Sequence, residues 1–572
     1  MIRSISLNSY WKFVIDKNDE GNSNKWFDHI PDNAEDIWVP SCWNDLREEP
    51  TYYEGIAWYY KELVIEKHED VKRNVLFFYG VNYKCDVWVN GKLAGSHVGG
   101  FTPFEIDVTD LIEYDAKNLI AVRVDNTATK FTVPPQGVDW FNYGGIYRDV
   151  CLYGTGETWL DDVAVITKPD GHVKIKTEIG NFIPGEACEA DICVINPETH
   201  QTVYSGSHAV SSKNNVFELY IKDARPWSLE DPFMYKFSIT LRKNKRMVDT
   251  WKHKIGLREF SIKDRKILLN GKPVMLRGYS KHEEYPMLGR TFCYDIVRKD
   301  YEICKQGNAN FVRMCHYPHH PKEYEIASEM GFLVIAEVPN VNFIKAHFEN
   351  EDVCQNAVNQ LKEMMKYYRN ETCIAFWSLF IECTTDGEIS VDFVSNYIKL
   401  AKELDPTRFT IHASITPLDD KTYQFFDVVG VNYWKGWYYG DTIESGSSLL
   451  DRIAAKYPDK PIIMTSGGWE GIPNFHSYRA LSHWSEELQA EYLDKLTRMY
   501  ISKDYIVGEI IWTFNDFKVQ PWLEQGKDYT KTWWTLRPMN MNFKGVVDLY
   551  RRPKLSYYRL AETFKLWDEK LK

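Results

Sequence analysis

The first 155 residues alternate apolar and polar positions in short runs separated by turn residues. Examples are NVLFFYG, CDVWVNGKLAG and LIAVRVDN. Alternation with a period of two is typical of strands that bury one face. The pair Asn90-Gly91 lies between two such runs and predicts a hairpin, because both residues tolerate positive φ. Residues 1–155 are therefore predicted to form a β domain.

Residues 156–257 continue the alternating pattern with fewer aromatic side chains. VKIKTEIG, VFELYI and MYKFSITLRK are the clearest runs. A stretch of about a hundred residues with this pattern has the size of an immunoglobulin-like β-sandwich. A second β domain is predicted here.

From residue 258 onward, apolar runs alternate with amphipathic segments of helical period. This pattern is typical of a parallel sheet with crossover helices. Because eight such runs are the number that a (β/α)8 barrel requires, residues 258–572 are predicted to form one. The eight runs begin at Val274, Ala309, Phe332, Cys373, Phe409, Val428, Pro461 and Gly508.

Charge and cysteine content narrow the possible partners and compartments. The net charge is -12 and the acidic excess is spread along the chain, which argues against nucleic-acid or anionic-membrane partners. Eleven cysteines without a C-x-x-C pair favour a reducing compartment over a disulfide framework or a zinc site. No signal-like N-terminus and no apolar run of about 18 residues is found. The sequence predicts a soluble cytoplasmic protein without a metal or other cofactor.

Polar and aromatic residues follow the predicted barrel strands, where barrel enzymes place their functional groups. Aromatic faces, hydrogen-bonding groups and carboxyls together are typical of a sugar site. Each residue also has a structural alternative, such as a buried ion pair for Arg313 with Glu337. The strand-end residues are His282, Glu283, Arg313, His316, Glu337, Glu382, His412, Asn432, Tyr433, Trp434, Ser466, Trp512 and Asp516.

Glu382 is the strongest candidate for a catalytic residue. It follows the nearly unbroken apolar run CIAFWSLFI, so its carboxyl would emerge at the barrel mouth with apolar residues behind it. Partial burial raises the pKa of a carboxyl and suits a general acid. The alternative is a capping or surface glutamate in the polar loop that continues to Gly387.

Several motifs stand in order along the chain: GVNYKCDVWVNG from Gly80, WFNYGGIYR from Trp140, LRG from Leu276 with KHE from Lys281, VRMCHYP from Val312, and FWS before Glu382. With these motifs the chain resembles the β-glucuronidases of glycoside hydrolase family two over essentially its whole length. This resemblance implies a jelly-roll sugar-binding-like domain at 1–155, an immunoglobulin-like β-sandwich at 156–257 and a TIM-barrel catalytic domain at 258–572.

The resemblance also implies a retaining mechanism on β-D-glucuronides or other uronic-acid glycosides. In such a mechanism one carboxyl is the acid/base and a second, about 5 Å away, is the nucleophile. Glu382 matches the acid/base, and Asn542 with Lys544 matches the motif that holds the sugar carboxylate. Other residues are expected at the substrate: Asp139, Arg313, His316, Ile381, Asn432, Tyr433, Tyr438 and Trp512.

Three positions, Ile381, Ser466 and Gly467, depart from the family pattern. Ser466, followed by Gly467, stands where the family has its nucleophilic glutamate, and Ile381 stands where it has the asparagine that holds the sugar 2-hydroxyl. Glu470 lies beyond the expected strand end and is not expected to replace the nucleophile. A hydroxyl without a bonded base is a poor nucleophile, so hydrolysis is expected to be impaired.

Three functions stay open from the sequence. The first is a β-glucuronidase-like hydrolase that is inactive or glycosynthase-like. The second uses Glu382 as a general base on a non-sugar substrate in a remodelled barrel. The third is a carbohydrate-binding pseudoenzyme. The sequence also leaves a homo-oligomer open.

Overall fold

The computed structural model describes residues 1–45, 51–437, 442–477, 482–520 and 538–571. In its first part, two antiparallel sheets are built from ten strands. These are β1 (Arg3–Ser6), β2 (Ser9–Asp16), β3 (Glu35–Val39), β4 (Ile56–Val64), β5 (Arg73–Phe78), β6 (Lys84–Val89), β7 (Lys92–Val98), β8 (Phe104–Asp107), β9 (Lys117–Asp125) and β10 (Val150–Thr155).

The strand orders of these sheets are β1-β10-β5-β8 and β3-β2-β4-β9-β6-β7. Alternate side chains of both sheets, such as Leu76 and Val122, meet in one apolar core. The hairpin predicted at Asn90-Gly91 joins β6 to β7, and both residues have positive φ, 51° and 77°. This β-rich first part confirms the predicted fold class.

Seven further strands form the second β region. They are β11 (Trp159–Thr167), β12 (His172–Gly180), β13 (Cys188–Ile195), β14 (Thr202–Ala209), β15 (Asn214–Tyr220), β16 (Tyr235–Lys243) and β17 (Arg246–Ile255). They form the sheets β11-β12-β15 and β14-β13-β16-β17, whose inward residues share one core. Loops at 156–158 and 256–259 flank this region, and the domain boundaries after residues 155 and 257 stay predictions.

A closed parallel barrel follows, preceded by the short strands β18 (Phe260–Lys263), β19 (Lys266–Leu269) and β20 (Lys272–Pro273). Each of the eight predicted runs overlaps one barrel strand, which confirms the barrel. The strands are β21 (Leu276–Lys281), β22 (Phe311–Met314), β23 (Leu333–Glu337), β24 (Ile374–Ile381), β25 (Phe409–Ser414), β26 (Val428–Asn432), β27 (Ile462–Ser466) and β28 (Ile506–Ile511).

Helices pack around this barrel, and side-chain caps fix where some of them begin. Asn350 accepts a hydrogen bond from the Val353 amide at the start of α4. Among the described residues, no helix combines the length and the apolarity needed to cross a bilayer. The helices are α1 (Tyr294–Gln306), α2 (Pro321–Glu329), α3 (Lys345–Phe348), α4 (Glu351–Tyr368), α5 (Glu388–Leu404), α6 (Ile443–Lys456), α7 (Glu486–Ile501) and α8 (Leu555–Glu569).

A buried ion pair joins the first domain to the barrel. Arg148 donates to Glu283 at 2.7 Å, and both side chains are fully buried. Arg148 also donates to the carbonyl of Pro318 at 2.7 Å. Burial alone would raise the pKa of Glu283, but Arg148 holds it below its ordinary value. This pair anchors the segment before Arg148 at the mouth of the barrel.

Candidate functional site

A cavity of about 310 Å³ opens at the carboxyl ends of the barrel strands. Its size is in the range of small-ligand sites. Residues at the ends of β24, β26 and β27 line it together with residues from the first domain. The lining residues are Asp139, Trp140, His316, Val341, Asn342, Ile381, Glu382, Ile415, Asn432, Trp434, Ser466 and Trp512.

Glu382 comes directly after β24 and is half-buried. Its φ of 54° lies in the left-handed region, where a non-glycine residue is strained, and such strain often occurs at functional sites. The carboxylate oxygen Oε1 accepts from Asn432 Nδ2 at 2.7 Å and from Trp434 Nε1 at 3.3 Å. Among the described residues, none donates a hydrogen bond to its second oxygen. The carboxyl is therefore held by one oxygen and can offer the other to a ligand.

A hydrogen-bonded bridge connects the ends of β27 and β24. Thr465 Oγ1 donates to Asn432 Oδ1 at 2.8 Å, and the amide nitrogen of Asn432 donates to Glu382. These two bonds fix the orientation of the Asn432 amide. Ser466, next to Thr465, and Ile381, next to Glu382, therefore lie on the same cavity at the two ends of this bridge.

Ser466 is the last residue of β27 and is 1% exposed. Its carbonyl accepts from the Tyr433 amide at 2.7 Å. Its hydroxyl makes no hydrogen bond to any described residue, although it lines the cavity. Without a bonded base this hydroxyl is a weak nucleophile.

Arg313 and Glu337 lie behind the cavity wall as a fully buried ion pair. Arg313 donates to Glu337 at 2.6 and 2.8 Å, and it donates to the Thr465 carbonyl at 2.8 Å. Burial alone would raise the pKa of Glu337, but Arg313 holds it below its ordinary value. The pair therefore ties β22 and β23 to the end of β27 rather than facing a ligand.

His316 lies on the wall in front of this pair. Its Nδ1 is 3.0 Å from Glu337 Oε1, and its ring stacks on Trp512 with centroids 4.9 Å apart. Burial lowers the pKa of His316, with Glu337 opposing the effect. Burial therefore favours the neutral form of this imidazole, and Glu337 orients the ring through Nδ1.

The candidate carboxylate motif lies one layer behind the wall. Lys544 Nζ is 2.8 Å from Glu470 Oε1, and both side chains are fully buried. The ammonium is also 4.9 Å from the ring centroid of Trp437 and 6.0 Å from that of Trp434, which lines the cavity. In this arrangement Glu470 neutralises the lysine.

Asn542 reaches the cavity through Asp139. Its Nδ2 donates to Asp139 Oδ2 at 3.0 Å, and its Oδ1 accepts from the Lys544 amide at 3.1 Å. Asp139 comes from the first domain and lies on the cavity wall. Asn542 thus couples the wall to the segment that carries Lys544.

The other candidates divide into residues on and off the wall. Asn432 and Trp512 line the cavity, whereas the Tyr433 hydroxyl donates to the Ile443 carbonyl at 2.9 Å, away from the cavity. Tyr438 lies outside the described residues. The predicted list omitted four wall residues: Trp140, Val341, Asn342 and Ile415. Trp140 directly follows Asp139, and Ile415 follows the end of β25, so position alone could have indicated them.

Two buried groups have residue types that bind metals. One contains His282, Cys315 and His316, and the other contains Glu283, His319 and Glu323. In the second group, His319 and Lys281 already bind Glu323. In the first, burial lowers the pKa of His282, and its Nδ1 is 3.1 Å from the Tyr317 hydroxyl. The expectation of no metal stays a prediction.

Models of one protein family match three successive parts of the chain. The model described as glycosyl hydrolases family 2, TIM barrel domain, matches residues 260–525. The family 2 sugar binding domain matches residues 4–156, and a third family 2 model matches residues 160–258. The chain belongs to glycosyl hydrolase family 2.

Similar proteins carry one activity in their names. A putative beta-glucuronidase of Formosa agariphila is 29% identical, over 97% of this chain and 71% of that protein. A beta-glucuronidase of Paenibacillus borealis is 26% identical, over 96% and 94%. Among solved family 2 structures, the Ruminococcus gnavus beta-glucuronidase has a TM-score of 0.88 at 27% identity, covering 98% of this chain and 97% of that one. The chain is thus a family 2 scaffold similar to β-glucuronidases.

Proposed function

We propose that the cavity binds β-D-glucuronides or other uronic-acid β-glycosides, with Glu382 as the acid/base, and that ordinary glucuronides are hydrolysed slowly. The observation that carries this proposal is the pair of strand ends on one cavity. Glu382 stands at one end, held by Asn432 and Trp434, and Ser466 with an unbonded hydroxyl stands at the other.

A retaining reaction requires a second carboxyl about 5 Å from the first. Among the described residues that line the cavity, the carboxyl groups belong to Glu382 and Asp139. Asp139 accepts from Asn542 and belongs to the first domain, which suits a sugar hydroxyl better than attack on the anomeric carbon. Ser466 therefore leaves the site with a proton donor but without a protein nucleophile.

The uronate preference is supported by Asn542 and Lys544 and by similar proteins. The Ruminococcus gnavus beta-glucuronidase has been solved in complex with D-glucuronic acid. In this chain Lys544 lies behind Trp434 with Glu470 as its partner. A sugar carboxylate at this wall would share the lysine with Glu470, because charge-assisted hydrogen bonds to a carboxylate are strong.

Restoration of the missing groups tests the proposal. The unsubstituted chain and the double variant Ser466→Glu/Ile381→Asn are assayed with 4-nitrophenyl β-D-glucuronide, and D-glucuronic acid binding is measured by calorimetry for both. We expect binding by both proteins and a gain in kcat/KM of about 100-fold or more in the double variant. A folded double variant that binds glucuronic acid without any gain in turnover would contradict the assigned nucleophile position.

A purely carbohydrate-binding role is the second candidate. Trp140, Trp434 and Trp512 give the cavity the aromatic wall that sugar binding uses, and they do so without a protein nucleophile. Binding of glucuronic acid with no turnover of any glycoside or activated glycosyl fluoride would favour this role.

The proposed location is a reducing cytoplasm. All eleven cysteines are unpaired, and several, such as Cys315 and Cys373, are fully buried among apolar side chains. Thiol labelling of the protein purified without reductant checks this proposal, since all eleven thiols should react after unfolding.

A further inference from the structure

Ile381 and Ser466 are the chain neighbours of the two ends of the Thr465–Asn432–Glu382 bridge. Ile381 offers the cavity an apolar surface, and Ser466 offers it a hydroxyl. Ile381 is 2% exposed, lines the cavity, and belongs to an apolar cluster with Val341, Trp140 and Trp512. Ser466 presents a buried hydroxyl that has no partner among the described residues. A buried hydroxyl without a partner is unfavourable, so a ligand group that forms a hydrogen bond with it would be favoured.

Ile381 and Ser466 are poorly suited to binding a sugar 2-hydroxyl. Ile381 has no hydrogen-bonding group, and a 2-hydroxyl placed against it would lose its partner in water. Nor can Ser466 form the glycosyl intermediate that retaining hydrolysis needs, because no described base bonds its hydroxyl. The wall fits a substituent that carries a methyl group, a hydrogen-bond donor and a nucleophilic oxygen together.

We propose that the substrate supplies the nucleophile: the cavity takes 2-acetamido-2-deoxy-β-D-glycosides, the uronic acids included, and their acetamido carbonyl replaces the missing carboxylate. This inference rests on the proposed function only for the role of Glu382 and for the C6 group. The acetamido methyl packs on Ile381 and Val341, and its N–H donates to Ser466 Oγ. Substrate-assisted hydrolysis of this kind is an established exception to the two-carboxylate rule.

The reaction balances with the groups in the cavity. In the first step the acetamido carbonyl oxygen forms a bond to C1, the bond from C1 to the leaving oxygen breaks, and Glu382 gives its proton to that oxygen. The product is an oxazolinium ion, whose N–H remains bonded to Ser466 Oγ. In the second step Glu382 takes a proton from water, the water oxygen bonds C1, and the bond from C1 to the carbonyl oxygen breaks. Net hydrolysis proceeds with retained anomeric configuration, without an oxidant, reductant or metal.

Paired substrates test the inference. The unsubstituted chain is assayed with 4-nitrophenyl 2-acetamido-2-deoxy-β-D-glucuronide and with its 2-hydroxyl counterpart, and then with the same pair carrying a hydroxymethyl group in place of the carboxylate. We expect kcat/KM to be at least about 100-fold higher for the acetamido member, because an intramolecular nucleophile replaces an absent one. Exchange of acetamido for trifluoroacetamido should lower kcat by about 10-fold or more, because the carbonyl oxygen becomes less nucleophilic.

Variants separate this role from a structural one. Ser466→Ala should lower kcat on the acetamido substrate about 10-fold with little change in KM, since its bond strengthens as the ion forms. The matched control is Ser414→Ala: Ser414 ends β25, is also 1% exposed, and does not line the cavity. The double variant Ser466→Glu/Ile381→Asn should lose activity on the acetamido substrate and gain activity on its 2-hydroxyl counterpart.

The outcomes distinguish the two proposals. Equal rates for the paired substrates would overturn the inference. Glucuronic acid binding without cleavage of either acetamido substrate would also overturn it and would leave the binding proposal standing. Cleavage of the acetamido substrate with a C6 hydroxymethyl, without binding of any uronate, would support the inference and contradict the uronate assignment.

Discussion

A buried acid in the barrel, Glu509, gives a quantitative prediction about pH and stability. It lies in β28, is fully buried, and accepts from Trp567 Nε1 at 2.7 Å and from Thr497 Oγ1 at 3.0 Å. Burial raises its pKa from 4.5 to about 7. Its two donors belong to α8 and α7, so the group joins the C-terminal helix to the barrel.

The sign and size of the effect follow from linkage. Below the unfolded pKa both states hold the proton, and Glu509 has no pH-dependent cost. As pH rises from 4.5 toward about 7, the unfolded chain releases the proton while the folded protein keeps it, so folding loses stability. The full difference corresponds to about 3 kcal/mol, and it is reached above the folded pKa.

Glu509→Gln removes this cost and keeps both hydrogen bonds. The amide oxygen can accept from Trp567, and the amide nitrogen can donate to the Thr497 hydroxyl. We expect the variant to gain about 2–3 kcal/mol relative to the unsubstituted chain between about pH 5 and about pH 8. For unfolding of the barrel domain this is a relative increase in Tm of about 3–5 °C.

The matched control is Glu562→Gln on α8, the helix that carries Trp567, because Glu562 is largely exposed. Its Tm should follow that of the unsubstituted chain at every pH. A Tm difference between Glu509→Gln and the unsubstituted chain that stays constant over this pH range would refute the predicted titration of Glu509.

Three further predictions concern the domain contact and the site. Glu283→Gln removes the partner of the buried Arg148 and should destabilise the protein by about 3–5 kcal/mol, measured as a fall in Tm; no change would mean that the pair is dispensable. The double variant Lys544→Gln/Glu470→Gln leaves a neutral pair and should weaken glucuronic acid binding about 10-fold with glucose binding unchanged, measured by calorimetry; an equal loss for both sugars would contradict a carboxylate role. Glu382→Gln should lower turnover of substrates with poor leaving groups about 100-fold or more, and an unchanged rate would exclude it as the proton donor.

The barrel could be predicted because its strands are buried on both faces. Such strands appear as apolar runs, and each run overlaps an observed strand. The ends were harder to place. β21 continues to Lys281, because the neighbouring strand β22 supplies hydrogen bonds where the local pattern is no longer apolar. β28 begins at Ile506, so the predicted run missed the two apolar residues before Gly508.

The site was predictable only where strand ends or family motifs mark it. Glu382 and Ser466 both follow buried runs, so their place on one cavity follows from barrel topology. The ion pair of Lys544 with Glu470 could not be predicted from the sequence, because the two residues are 74 positions apart and meet only when two loops pack together. Val341 and Asn342 were also not predicted as cavity residues, because it is the backbone of the loop after β23 that directs them to the wall.

The first domain places Asp139 and Trp140 on the wall of a barrel that begins more than a hundred residues later. An N-terminal module exchanged between relatives by recombination would therefore bring part of the specificity with it, and it would also need a barrel whose acid matches Arg148. A change in one module at this contact would then require a matching change in the other. Among diverging family 2 proteins, we therefore expect substitutions in the first domain at this contact to be accompanied by substitutions in the barrel residues that they touch.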